Sequence, residues 1–253
     1  MLTYAWPLLF MGLAGVTNEM LSRALLRHWL PTNFYPGMSQ LAALGVFGAC
    51  YKLSVFMTLT VQAFRYAAEP FFFSQAADKQ SPLLFARVMD GFVLVTTLIY
   101  LLISLNLDWI GAVFLRSPIY WQGLEVVPIL LLANLFLGIY FNLSVWFKLT
   151  DSTQYGMWLA LLGAAATVMG NALLVPYLGY IGSAWATLAC YALMSAACYA
   201  LGQRRFPIPY RPVRYLLQLA AASAIIYFFM QWQPKDPARG WLLKNSIWFL
   251  FAL

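Results

Sequence analysis

Between Val88 and Leu107 the chain reads VMDGFVLVTTLIYLLISLNL, a run with one charged side chain, Asp90. Its β-branched residues would suit a buried strand, but the length decides for a helix. About 20 mostly apolar residues cross a bilayer as a helix that satisfies its own backbone. Runs of this kind recur along the chain, and eight spans are expected, at 2–26, 43–70, 83–105, 124–147, 156–177, 180–202, 213–232 and 241–253. The expected fold is therefore all-α, a polytopic transmembrane helix bundle forming one domain over residues 1–253.

Composition supports this reading, since 63% of the residues are hydrophobic and 9% charged, where a soluble domain has about 25% charged residues. The connections are short and carry turn residues, as in Pro31-Thr32-Asn33 and Gln233-Pro234-Lys235-Asp236-Pro237. The first span lacks the basic start and cleavage site of a signal peptide. The last, WLLKNSIWFLFAL, is shorter than a crossing, and the expectation is a piece of a longer chain. If spans alternate, Lys79, Arg87, Lys148, Arg204, Arg205, Arg211 and Arg214 share one side, and Arg27, Arg116, Lys235 and Arg239 the other. Basic residues in short loops stay in the cytoplasm, which places the N-terminus there. The net charge of +7 flanks spans rather than forming one basic face, so anionic membrane lipids are the expected partners and nucleic acid is not. Cys50, Cys190, Cys198 and the single His28 have no metal-site spacing, and no phosphate loop or nucleophile motif is present. No cofactor and no enzymatic activity are expected.

The chemistry then rests on polar residues inside the spans, which face a bundle interior or an aqueous cavity. Glu19 and Arg23 are four residues apart, as are Arg65 and Glu69, so each pair can share a helix face. Lys52 has no carboxylate three or four residues away and is the better candidate for a cation lining a cavity. Arg65 can hold Glu69 and still offer part of its fork to a phosphate. Asn142 in the fourth span completes the candidate substrate-binding set of Lys52, Arg65, Glu69, Arg23, Glu19 and Asn142. Gly45, Gly48 and Ala49, and the run GAAATVMG, read as faces where helices approach closely. Trp6, Trp109, Trp121, Trp146, Trp158, Trp232 and Trp241 lie near span ends, as interface anchors do.

The run GVFGACYKLSVFMTLTVQAFRYAAEPFFFSQ resembles the eighth helix of bacterial polysaccharide flippases, which belong to the multidrug/oligosaccharidyl-lipid/polysaccharide exporter superfamily. The stretches LANLFLGIYFNLSVWFKLTDSTQYG, GNALLVPYLGYIGSAWATLACY and VRYLLQLAAASAIIYFF are similar to the same family in order and spacing. The resemblance implies helices seven to fourteen of a two-lobed flippase, with the first lobe missing. It implies transport of polyprenyl-pyrophosphate-linked oligosaccharide by alternating access for lipopolysaccharide or polysaccharide synthesis. It also implies a cationic central cavity that Lys52 and Arg65, and more weakly Arg23, would line. The alternatives are a multidrug or cation exporter of the same superfamily, which should favour acidic cavity residues, and a membrane-embedded polysaccharide-assembly enzyme.

Overall fold

A computed structural model describes residues 22–32, 34–76, 78, 80–232 and 237–252, all in helices, turns and loops. Helical residues 22–29 form α1. Helix α2 (Gln40–Leu53) starts at Ser39, whose hydroxyl accepts from the Ala42 N–H at 3.2 Å. It stops at Ser54, and α3 (Val55–Gln75) resumes at once, bent by 43°. The Ser54 hydroxyl donates to the Tyr51 carbonyl at 2.7 Å, competing with the helical ladder as serine does in apolar segments. The same arrangement recurs between α6 (Val126–Leu143) and α7 (Val145–Leu149), where the Ser144 hydroxyl donates to the Phe141 carbonyl at 2.6 Å. The expected span 43–70 ends at Pro70, but the helix does not. A proline removes only one ladder bond, and α3 runs on to Gln75 with Phe72 packed on Phe85, ring centroids 4.9 Å apart.

Helix α4 (Ser81–Leu105) carries Pro82 in its first turn, where a missing N–H costs nothing. After it come the short α5 (Leu107–Phe114) and a 3₁₀ turn, Pro118–Gly123. Helix α8 (Gln154–Arg205) has 52 residues. At 1.5 Å per residue that would make a rod about 78 Å long, far beyond a hydrocarbon core of about 30 Å. It is broken at Gly179, which has φ 60° and ψ −139°. The Cys190 thiol donates to the Gly163 carbonyl at 3.2 Å, and a side chain on Gly170 would stand 2.9 Å from Ala186 Cβ. These pairings make α8 a hairpin of two antiparallel arms, so the expected spans 156–177 and 180–202 correspond to its two arms. Helices α9 (Pro212–Gln231) and α10 (Pro237–Ala252) follow.

By length and apolarity, four helices among the described residues can cross a membrane, and five segments can if the bent α2–α3 pair counts as one. The α8 turn divides its 52 residues into two arms, which raises the crossings to six. Eight are not reached. The expected first span lies mostly outside the described residues, and α10, with 16 residues, is shorter than the roughly 20 a crossing takes. Leu173, Met169, Leu217 and Phe228 are each more than 60% exposed on the outside of the bundle, an apolar coat suited to lipid.

Side-chain pairings fix the direction of each helix. Arg65 Cζ lies 4.6 Å from the Phe141 ring centroid and Glu69 meets Lys148, so α3 and α6–α7 run parallel. Phe64 stacks near Phe92 at 4.5 Å and Phe72 near Phe85, so α4 runs against them. Tyr215 donates to Asp90 at 2.6 Å and Tyr100 pairs with Ser223 at 3.3 Å, so α9 follows α4. One end of the bundle thus gathers residues 76, 78, 80, 144–153 and 206–211. A small core of Phe72, Phe85, Val145 and Ile208 closes it. This basic end carries Lys148, Arg204, Arg205, Arg211 and Arg214, in line with the alternation read from the sequence. The opposite end gathers residues 30–32, 34–39, 106–125 and Gly179.

Candidate functional site

The expected cavity residues fall into two groups. At the end opposite the basic end, Arg23, Lys52 and Arg116 line one pocket of about 590 Å³, together with Gly45, Gly48 and Phe56. All three cations are exposed, and no carboxylate is among the described residues lining the pocket. Arg23 is set by Tyr51, whose ring centroid lies 4.3 Å from its Cζ. No described residue stands within 4 Å of where side chains on Gly45 and Gly48 would sit. Among the described residues these glycines are pocket floor, not the helix-packing face expected of them. Lys52 is also less deep than its position in the sequence implies. The Cys50 thiol points to the Tyr120 carbonyl at 3.5 Å, Phe56 meets Phe114 at 5.6 Å, and Gly123 abuts Val46 and Cys50. The connection between α4 and α6 therefore wraps beside residues 46–56 and brings Arg116 into the pocket. In the sequence Arg116 counts only as a loop charge.

Arg65 and Glu69 lie 13 and 17 residues further along, about 20–25 Å away at helical rise. Arg65 Nε donates to Glu69 Oε1 at 3.0 Å, the pair expected from the i,i+4 spacing. The same oxygen accepts from Lys148 Nζ at 2.6 Å. Lys148 is the residue that sequence reasoning missed. Its signal was its place at the end of the fourth span, which runs parallel to the second and so ends at the same level as Glu69. The Lys148 side chain is 9% exposed, while those of Arg65 and Glu69 are 30% and 31% exposed. One carboxylate thus serves two cations, a charge-assisted arrangement that leaves a net positive charge. The rest of the Arg65 fork lies over the Phe141 ring, a cation–π contact.

Asn142 does not line the cationic pocket. It is 1% exposed, and neither its Nδ2 nor its Oδ1 has a hydrogen-bond partner among the described residues. A side chain on Gly138, one turn earlier, would meet Phe92 of α4 and stand 2.9 Å from Val61 of α3. Asn142 continues that face into the packing among α3, α4 and α6, so it is a core position. Glu19, and with it the Glu19–Arg23 pairing, lies outside the described residues. Asp90, one turn from Arg87, is instead held by the Tyr215 hydroxyl.

The bundle is similar to a solved MOP superfamily transporter from Pyrococcus furiosus, reported with a binding pocket of reverse polarity that suggests a different function. The TM-score is 0.62 at 14% identity, over 90% of this chain and 54% of that one. The chain's helical fold is therefore similar to part of that transporter, and the chain spans about half of its length. No protein-family model matches the chain, and no curated protein matches it in sequence.

Proposed function

We propose that the chain is one lobe of a flippase that carries an oligosaccharide on a polyprenyl pyrophosphate across the cell inner membrane by alternating access. The observation that carries this reading is the pocket in which Arg23, Lys52 and Arg116 converge without a carboxylate among the described residues lining it. Guanidinium and ammonium groups together suit a pyrophosphate, the fork binding oxygens two at a time and the lysine acting as a point charge. Flipping makes and breaks no covalent bond, so it asks for no nucleophile or general base.

In this reading the basic end faces the cytoplasm, which leaves the N-terminus cytoplasmic. Helix α3 then links the two cationic groups. Arg65 near the cytoplasmic end meets the head first, and Lys52 and Arg116 receive it toward the outside. A potential that is negative inside assists an anion moving outward by about 2.3 kcal/mol per charge per 100 mV. The second lobe supplies the facing wall, and rocking of the lobes exposes the pocket to each side in turn. The match to about half of a solved transporter supports a two-lobed whole.

The test is depletion of the complete gene in its native cells, followed by quantifying polyprenyl-pyrophosphate-linked oligosaccharide on each leaflet. The expected result is accumulation on the cytoplasmic leaflet, reversed by the unaltered gene. Lys52→Ala and Arg116→Ala each remove a hydrogen bond to a charged group, which corresponds to about a tenfold loss of transport. An unchanged leaflet distribution combined with new sensitivity to lipophilic cations would replace the flippase by a cation exporter. Full rescue by both variants would keep the flippase and discard this pocket.

A further inference from the structure

Four tryptophans that read as separate interface anchors, Trp109, Trp121, Trp232 and Trp241, line one cavity of about 600 Å³ at the end opposite the basic end. The end of α4, α5, the 3₁₀ turn, the end of α9 and the start of α10 enclose it. Trp109, Trp121 and Trp241 keep 66%, 47% and 56% of their surface exposed, which leaves ring faces open to a ligand. Asn106, Asp108, Glu125 and Lys244 line the same cavity. Lys244 Nζ lies 3.3 Å from Asp108 Oδ2, yet the Asp108 side chain remains 89% exposed and can accept further bonds. Asn106 is held by Asn245, its Nδ2 donating to Oδ1 at 3.4 Å. Behind them stands Ser104, 5% exposed, whose hydroxyl is buried and has no hydrogen-bond partner among the described residues.

We propose that this cavity is a carbohydrate-binding site that takes neutral sugar rings. The C–H face of a pyranose stacks on a flat apolar ring, which three open indoles provide. A sugar hydroxyl both donates and accepts, and it finds carboxylate acceptors, an ammonium donor and an amide around it. The volume lies in the ordinary range for small-molecule sites, about 300–1,000 Å³. Two carboxylates against one ammonium leave the described lining at net −1, which repels the phosphate of a phospholipid headgroup. A lipophilic cation would meet the Lys244 ammonium. Interface anchoring by itself asks only that tryptophans lie at one depth, not that four converge on one polar cavity.

The assignment stands on this cavity alone and does not need the transport reading, since the two cavities share no lining residue. Its test uses the full chain purified in detergent and applied to an array of immobilised neutral oligosaccharides. Binding of tetraphenylphosphonium and of phosphatidylglycerol is measured in parallel. The expected result is retention on at least one oligosaccharide, weakened about tenfold by Trp241→Ala and by Trp109→Ala through loss of a stacking face. Trp241→Phe, which keeps a ring, retains most of the binding and so separates loss of the site from loss of the fold. Trp158→Ala, which removes an exposed tryptophan outside this cavity, binds like the unaltered protein. Absence of any retained oligosaccharide overturns the proposal, as does retention that survives both alanine variants. Loss in those variants of tetraphenylphosphonium or phospholipid binding alone overturns it equally. Failure of leaflet transport in Lys52→Ala with glycan binding intact would concern only the cationic pocket.

Discussion

Glu69→Leu is expected to destabilise the basic end more than removal of either of its cationic partners. The substitution leaves Arg65 and Lys148 facing each other without the oxygen that both share. Breaking a buried pair by removing one partner costs about 3–5 kcal/mol. Because a third of the carboxylate is exposed, solvent screening brings the expected loss to about 2–3 kcal/mol. Arg65→Ala keeps the 2.6 Å pair between Lys148 and Glu69 and removes only the half-exposed contact, so about 1 kcal/mol or less is expected. The double variant Glu69→Leu with Lys148→Met replaces the buried pair by apolar groups and should recover most of the loss. Thermal unfolding in detergent of the single and double variants, read as a double-mutant cycle, checks the ordering. Equal losses for Glu69→Leu and Arg65→Ala would mean that Lys148 does not depend on Glu69.

Most of the bundle is legible in the sequence because apolar length alone decides a crossing. The spans at 83–105 and 213–232 fall on α4 and α9 within a residue or two at each end. The α8 hairpin is legible because two crossings' worth of apolar residues cannot stay straight within a bilayer. The breaks at Ser54 and Ser144 are not, since a serine bonding back to the preceding turn leaves the hydrophobic pattern unchanged. The Arg65–Glu69 pair is legible because it is local. Its third member stands 79 residues from Glu69, and only the parallel course of α3 and α6 brings Lys148 to it. Arg116 escapes notice for a related reason: a loop charge looks topological until the loop is seen to lie beside Lys52. Asn142 shows the opposite error. A polar residue in a span faces the bundle interior, but that interior can be packed helix and not cavity.

Gly179→Ala is expected to be among the most damaging single-methyl changes in the described bundle. With φ at 60° and ψ at −139°, the residue sits near backbone that glycine alone occupies freely, and strain there costs about 1–3 kcal/mol. The added methyl would also strike the Tyr35 hydroxyl and stand 2.7 Å from Phe34 Cε1, and forced overpacking adds about 1–3 kcal/mol. The neighbours cannot easily move away. Tyr35 stacks on Tyr180 at 4.6 Å and its hydroxyl accepts the Tyr180 N–H at 3.3 Å. The Tyr180 hydroxyl in turn donates to the Gln122 carbonyl at 3.2 Å. The tip of the hairpin is thus tied both to the loop before α2 and to the 3₁₀ turn beside the cationic pocket. A fall in the melting temperature of about 10 °C is expected, from about 2–4 °C per kcal/mol in chains of this size. Gly91→Ala is the control, because nothing stands within 4 Å of the added methyl in mid-helix and alanine there favours the helix by up to about 1 kcal/mol. If the two variants melt alike, α8 does not turn back at Gly179, and the antiparallel pairing of Gly163 with Cys190 that brings its two arms together is wrong.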